Sequence, residues 1–244
     1  NVMWTKICGI TRPEDAVAAW QSGVSAIGLN FFRGSKRCVT PAQAAMIVAE
    51  LRRAITQLDG APLQPPDIVG VFVNAECEEI QATVRAAGLT AVQCHGDETV
   101  KMLAQLQHCL PETALIRAFR VSEDRMIEAS EHIRELLTVI PLSALLLDAF
   151  VPGEFGGTGT LVSPDLVRAL RLSTEVPIIL AGGLTADNVG HAIVAADPWG
   201  VDTASGVETS PGIKSPDLMA AFIAASGAGD WCVKRLKPSA GRTA

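Results

Sequence analysis

The sequence predicts a single (β/α)8 barrel, on three observations. Eight short apolar runs recur along the 244 residues, stretches of helical periodicity separate them, and no second domain's worth of residues is left over. A doubly wound open sheet is the competing architecture, but the number and length of the runs suit closure better. The barrel is assigned to residues 1–225, and the tail, 226–244, is expected to be loosely ordered with solvated charges.

The runs are TKICGI (5–10), AIGLNFF (26–32), IVGVFVN (68–74), AVQCHG (91–96), ALIRAFRV (114–121), ALLLDAF (144–150), PIILAGG (177–183) and GVDTAS (200–205). Most are continuously apolar, as parallel strands buried on both faces should be. In the second helical stretch Ala44, Ile47, Val48, Leu51 and Ile55 share one face; in the fifth, Met126, Ala129, Ile133 and Leu137 do. Helix starts are marked as well. Thr11 reads as an N-cap, with Glu14 at capping-box spacing. Thr40-Pro41, Ser163-Pro164 and Ser215-Pro216 each put a hydroxyl at the N-cap and proline at the first helical position.

Composition narrows the function. The chain is 48% hydrophobic and 19% charged, with net charge −6, which describes a soluble globular protein. An acidic chain without a basic run is a poor nucleic-acid binder, and no apolar stretch is long enough to span a bilayer. The six cysteines form no CxxC and none sits beside histidines at zinc-ligand spacing, so reduced thiols and no metal site are expected. The start, NVMWTKICGI, lacks the charged beginning and long apolar stretch of a secretory signal, so a cytoplasmic location is expected.

In a barrel, the loops after the strands carry function and the loops after the helices carry stability. TQLDGAPLQPPD (56–67) precedes the third run and falls on the stability face; VPGEFGGTGT (151–160) follows the sixth and falls on the catalytic face. Cys8 closes the first run. A free cysteine most often only packs, but at a strand end before a helix N-terminus a thiolate is favoured, able to attack a substrate or abstract a proton. Asp148 closes the sixth run after three leucines. It either caps a turn or serves as general acid or base.

The remaining candidates are polar or glycine-rich. AGGL (181–184), with Gly182 and Gly183, and SGVETSPGIKS (205–215), with Ser205 and Gly206, follow runs seven and eight, where barrels often bind phosphate. GGTG (156–159), with Gly157, reads as a lid that excludes water or as a flexible surface loop. Arg37 in RGSKRC (33–38) has the geometry to clamp a carboxylate or to lie solvated. His95 is ligand-facing or structural, whereas His108, His132 and His191 read as structural or solvent-facing. GxGxxG, Walker A and HExxH are all absent, so acid/base chemistry on a phosphorylated, carboxylated small molecule, without a cofactor, fits.

The motifs KICGIT, GVFVN, QCHG, LLLDA, GGTG, AGGL and VDTASGVETSPGIK, in this order from Lys6 to about Phe222, resemble those of the phosphoribosylanthranilate isomerases of tryptophan biosynthesis. The resemblance implies an Amadori rearrangement, an internal redox reaction that needs no cofactor. It implies Asp148 as the acid that opens the furanose and Cys8 as the base at C2. It also implies Arg37 as holder of the anthranilate carboxylate, with Gly182, Gly183, Ser205 and Gly206 as the phosphate cradle. Cys94 stands where that family usually carries leucine. The alternatives are a related sugar-phosphate isomerase of histidine biosynthesis, which places aspartates where this chain has Cys8, and a non-catalytic phosphosugar-binding or thiol redox-sensing barrel. A monomer is expected, with a homodimer as the alternative.

Overall fold

The computed structural model describes residues 3–58, 64–121, 126–149, 162–227 and 234–238. Eight parallel strands close into a barrel in sequence order: β1 (Trp4–Ile7), β2 (Ala26–Asn30), β3 (Asp67–Phe72), β4 (Ala91–Cys94), β5 (Ala114–Val121), β6 (Ala144–Ala149), β7 (Ile178–Leu180) and β8 (Gly200–Thr203). The (β/α)8 expectation holds, and β1 pairs with β8 to complete the ring, Lys6 opposite Asp202. Several strands end before the apolar runs do, because the last residues of those runs turn out into the mouth. Cys8 lies just past β1, yet its amide still donates to Thr203 O at 2.8 Å.

Between the strands run α1 (Pro13–Gln21), α2 (Pro41–Gln57), α3 (Cys77–Ala87), α4 (Val100–Cys109), α5 (Met126–Val139), α6 (Pro164–Ser173), α7 (Val189–Ala196) and, after β8, α8 (Pro216–Ala225). The predicted face of α2 is buried at Ala44, Ile47, Val48 and Leu51. Thr40 caps α2 in a full capping box with Gln43, and Ser215 Oγ accepts from Leu218 N–H. Two caps differ from expectation. Arg12, not Thr11, occupies the N-cap of α1, because the Thr11 hydroxyl is drawn 201 residues along the chain to donate to Gly212 O at 2.5 Å. Ser163 holds its N-cap position but makes no capping hydrogen bond.

Strand alternation divides the core in two. Residues such as Ile7, Ile27, Leu29 and Leu147 pack outward against the helices. Trp4, Ala26, Val69, Ala91, Ala114, Ala144 and Ile179 fill the barrel's interior floor. Part of the tail joins that floor. Leu236 is buried beside Trp4, its amide donates to Asp67 Oδ2 at 3.1 Å, and Arg235 pairs with Asp67 at 3.4 Å. The loose order expected of 226–244 therefore does not extend to residues 234–238. Among the described residues no helix is long and apolar enough to cross a membrane.

Candidate active site

The inward positions change character toward the C-terminal ends of the strands. Above the apolar floor lie Lys6, Gln93 and Asp202, all buried. One pleat further up, the same three strands and β6 deliver Cys8, His95 and Asp148, with β8 supplying Ala204. Sequence alternation alone dictates this stacking, since each residue is two positions beyond its predecessor on the strand.

Cys8 is half-buried, and Gly28 on β2 makes room for it: a Cβ there would stand 2.7 Å from the sulfur. Burial pushes the thiol above its ordinary range, against the pull of the Lys6 and Lys214 ammonium groups; Asp202 adds to the rise. This corrects the helix-terminus expectation. Helix α1 starts five residues later, at Pro13, and two buried lysines supply the local positive charge instead. Asp148 is 21% exposed, and its Oδ2 lies 3.5 Å from His95 Nε2. His95 Nδ1 pairs with Gln93 Nε2 at 3.1 Å.

The His95 loop is pinned from outside the barrel. Arg117 on β5 donates to Cys94 O, Gly96 O and Glu98 Oε2, while Glu98 accepts from the Asn74 and Gly96 amides. Buried Cys94 packs in the outer core, and burial pushes its thiol strongly up, which suits an inert filler. A cavity of about 720 Å³ opens beside this loop, lined by Phe32, His95, Arg117, Phe119 and His132 among others.

Gly182 and Gly183 both have positive φ, 91° and 62°. A side chain at Gly182 would also strike Ala149 N and Asp148 Oδ1, so this turn sits tight against the Asp148 carboxyl. Ser205 begins a short 3₁₀ turn, Ser205–Val207, in which a Cβ on Gly206 would collide with Leu184 O. The two predicted glycine loops thus touch each other, with Thr203 Oγ1 donating to Leu184 O at 2.7 Å. Gly157 and the rest of the GGTG segment lie outside the described residues.

Arg37 does hold a carboxylate in two prongs, and it is the chain's own Glu208, at 2.7 Å on each side. Glu208 opens a two-stranded hairpin, β9 (Glu208–Ser210) and β10 (Ile213–Lys214). Lys214 reaches back to Glu208 Oε1 at 2.8 Å and Ala204 O at 2.9 Å, and its amide donates to Asp15 of α1. Lys6, Asp202, Glu208, Lys214 and Arg117 were not singled out from the sequence. Lys6 and Asp202 were legible as charges inside two apolar runs; the others are brought in by contacts remote in sequence.

Fold and site together define a (β/α)8 barrel of the acid–base type, its thiol, carboxyl and imidazole gathered at the C-terminal mouth beside a glycine-lined cradle. Comparison with known proteins makes this specific. The family model described as N-(5'phosphoribosyl)anthranilate (PRA) isomerase matches residues 5–225. An N-(5'-phosphoribosyl)anthranilate isomerase of Myxococcus xanthus is 41% identical over 91% of this chain and 94% of its own length. One of Gloeothece citriformis is 40% identical over 89% and 91%. The crystal structure of phosphoribosyl anthranilate isomerase from Thermotoga maritima superposes with a TM-score of 0.77 at 33% identity, covering 92% of this chain and 98% of that one. The structure of such an isomerase in complex with reduced 1-(o-carboxyphenylamino)-1-deoxyribulose 5-phosphate gives 0.74 at 32%, with the same coverage. The chain belongs to the N-(5'-phosphoribosyl)anthranilate isomerase family.

Proposed function

We propose that this chain converts N-(5-phosphoribosyl)anthranilate to 1-(2-carboxyphenylamino)-1-deoxyribulose 5-phosphate in tryptophan biosynthesis, as a cytoplasmic monomer. The observation that carries the reading is a thiol and a carboxyl at two strand ends of one mouth, Cys8 just past β1 and Asp148 on β6, with the glycine turn packed against the latter.

Asp148, as acid, donates a proton to the furanose ring oxygen while the bond from C1 to that oxygen breaks. The anilinic nitrogen's lone pair forms a C1=N Schiff base. Cys8, as thiolate, then takes the proton from C2; the C–H electrons make C1=C2, and the C=N pair returns to nitrogen. Ketonisation of the enolamine leaves C2 oxidised and C1 reduced, so the redox balance closes within the substrate. His95, 3.5 Å from Asp148, orients the acid. Gly182, Gly183, Ser205 and Gly206 offer backbone N–H groups to the phosphate, and Arg37 takes the anthranilate carboxylate.

A steady-state assay following loss of the substrate's anthranilate fluorescence tests the reading. Turnover by the purified chain is expected; a purified, folded chain without turnover overturns it.

A further inference from the structure

The chemistry above uses the Cys8 thiol and leaves the ion pair beneath it without a role. Lys6 stands two residues before Cys8 on the same inward face of β1, and its side chain is entirely buried. Its Nζ lies 2.7 Å from Asp202 Oδ2, on the strand directly paired with it. Beyond that ionic contact, neither Lys6 Nζ nor Asp202 Oδ1 makes a hydrogen bond of ordinary length among the described residues, and the other group that draws on the Lys6 ammonium is the Cys8 thiol. Desolvating two charges is expensive, and a pair kept only for stability is readily replaced by apolar side chains. The layer below is already apolar, filled by Trp4 and Ala26. A costly buried ammonium that, besides Asp202, interacts with the thiol one pleat above it calls for another explanation.

We propose that Lys6 is a positioning residue for Cys8: its ammonium, held in place and partly neutralised by Asp202, favours the thiolate, and it acts on the substrate only through that sulfur. The inference rests on Cys8 as the base of the proposed reaction. Among the charged groups around the thiol, Lys6 exerts the strongest downward pull against burial, Asp202 pushes upward and Lys214 of β10 pulls downward. Arg37 also faces Cys8, while Asp148 and His95 bear on Asp202. Lys214 and Arg37 are both committed to Glu208, which leaves Lys6 and Asp202 as an opposed pair of controls on the thiol.

Opposed controls make opposite predictions. Alkylation of Cys8 by iodoacetamide, followed by peptide mass spectrometry across pH, measures the thiolate without any turnover. Lys6→Met is expected to raise the midpoint by about one pH unit or more, a tenfold loss of thiolate at neutral pH. The kcat falls with it and recovers in more alkaline buffer. Asp202→Asn is expected to lower the midpoint. If Lys6→Met fails to fold, the double variant Lys6→Met/Asp202→Asn leaves no lone buried charge, and its midpoint is expected to rise, because Lys6 is the stronger influence. A purely structural role would lower the melting temperature of these variants without moving their midpoints in opposite directions. An unmoved midpoint in folded Asp202→Asn, or in a folded variant lacking Lys6, overturns the proposal. Failure of the underlying reading shows separately, as retained turnover in Cys8→Ser.

Discussion

Arg37 and Glu208 face each other in a two-pronged ion pair, Nε to Oε1 and Nη2 to Oε2, each at 2.7 Å. The guanidinium is thereby fixed in plane at the mouth, 18% exposed, and the substrate carboxylate proposed to bind there would share it with Glu208. Such a group binds without reacting, so Arg37→Ala is expected to raise KM by roughly 10- to 100-fold with a smaller change in kcat. An unchanged KM would remove Arg37 from the carboxylate site.

The same carboxylate makes stability pH-dependent. Burial works against ionising Glu208, but hydrogen bonds from Arg37 and Lys214 outweigh it and hold the carboxyl below its usual range. A folded-state pKa below the unfolded one gives stabilisation that is complete above the unfolded value, about 4.3, and lost as pH falls through the folded value. Urea denaturation between pH 7 and pH 3 is expected to show wild type losing stability below about pH 4.3. Glu208→Gln should start less stable at neutral pH and lose less over that window. Parallel losses in the two proteins would exclude Glu208 as a source of the acid sensitivity.

Much of this architecture was readable from residues alone, and the limits have physical causes. Strand-length apolar runs and Ser/Thr-Pro pairs report local preferences, so eight strands and the caps at Thr40 and Ser215 were legible. Thr11 misled because its hydroxyl serves a tertiary contact with Gly212 that local spacing cannot see. Cys8 and Asp148 stood out because reactive groups at strand ends are few. Glu208 and Lys214 did not, since SGVETSPGIK reads as a glycine turn and gives no sign that its charges fold back on Arg37 and Ala204. Lys6 shows in the sequence only as a charge inside an apolar run; its burial follows from closure of β1 against β8, a pairing that local sequence does not display.

The roles proposed for Cys8 as base and Asp148 as acid predict matched losses. Cys8→Ser removes the acidic thiol and leaves a hydroxyl too weakly acidic to serve as base; Asp148→Asn removes the proton donated to the ring oxygen. Each is expected to lower kcat by roughly 10²- to 10⁴-fold with unchanged far-ultraviolet circular dichroism. Because the base must be deprotonated, and burial holds the Cys8 thiol above its ordinary range, wild-type kcat should climb from neutral to alkaline pH. Near-normal rates in both variants would sink the mechanism.

Gly28 offers a way to disturb the thiol without touching its chemistry. A Cβ at this position would stand 2.7 Å from Cys8 Sγ and 3.0 Å from its Cα, so the side chain and its backbone must give way. Gly28→Ala is expected to cost about 1–3 kcal/mol of stability through overpacking. It should lower kcat by at least about tenfold, because a misplaced base loses its approach to C2. Denaturant titration and steady-state kinetics on one preparation check both. A variant with wild-type kcat would show that the thiol tolerates displacement and that its placement is not limiting.

Leu236 predicts a stability role for a segment beyond the family match at 5–225. It is 9% exposed and packs on the interior floor with Trp4, while its amide and Arg235 both engage Asp67 at the start of β3. Lys234 adds a cation–π contact, its ammonium 5.2 Å from the ring centre of Trp199, which itself packs on Trp4. These contacts lie at the floor, remote from Cys8 and Asp148. Leu236→Ala is therefore expected to destabilise by about 2 kcal/mol, the low end for a buried leucine because the surrounding surface can relax. Its KM and kcat should be unchanged at temperatures where it stays folded. Tryptophan emission should shift to the red as water reaches Trp4 and Trp199. Unaltered emission with an unaltered melting temperature would show that the floor is closed without the tail.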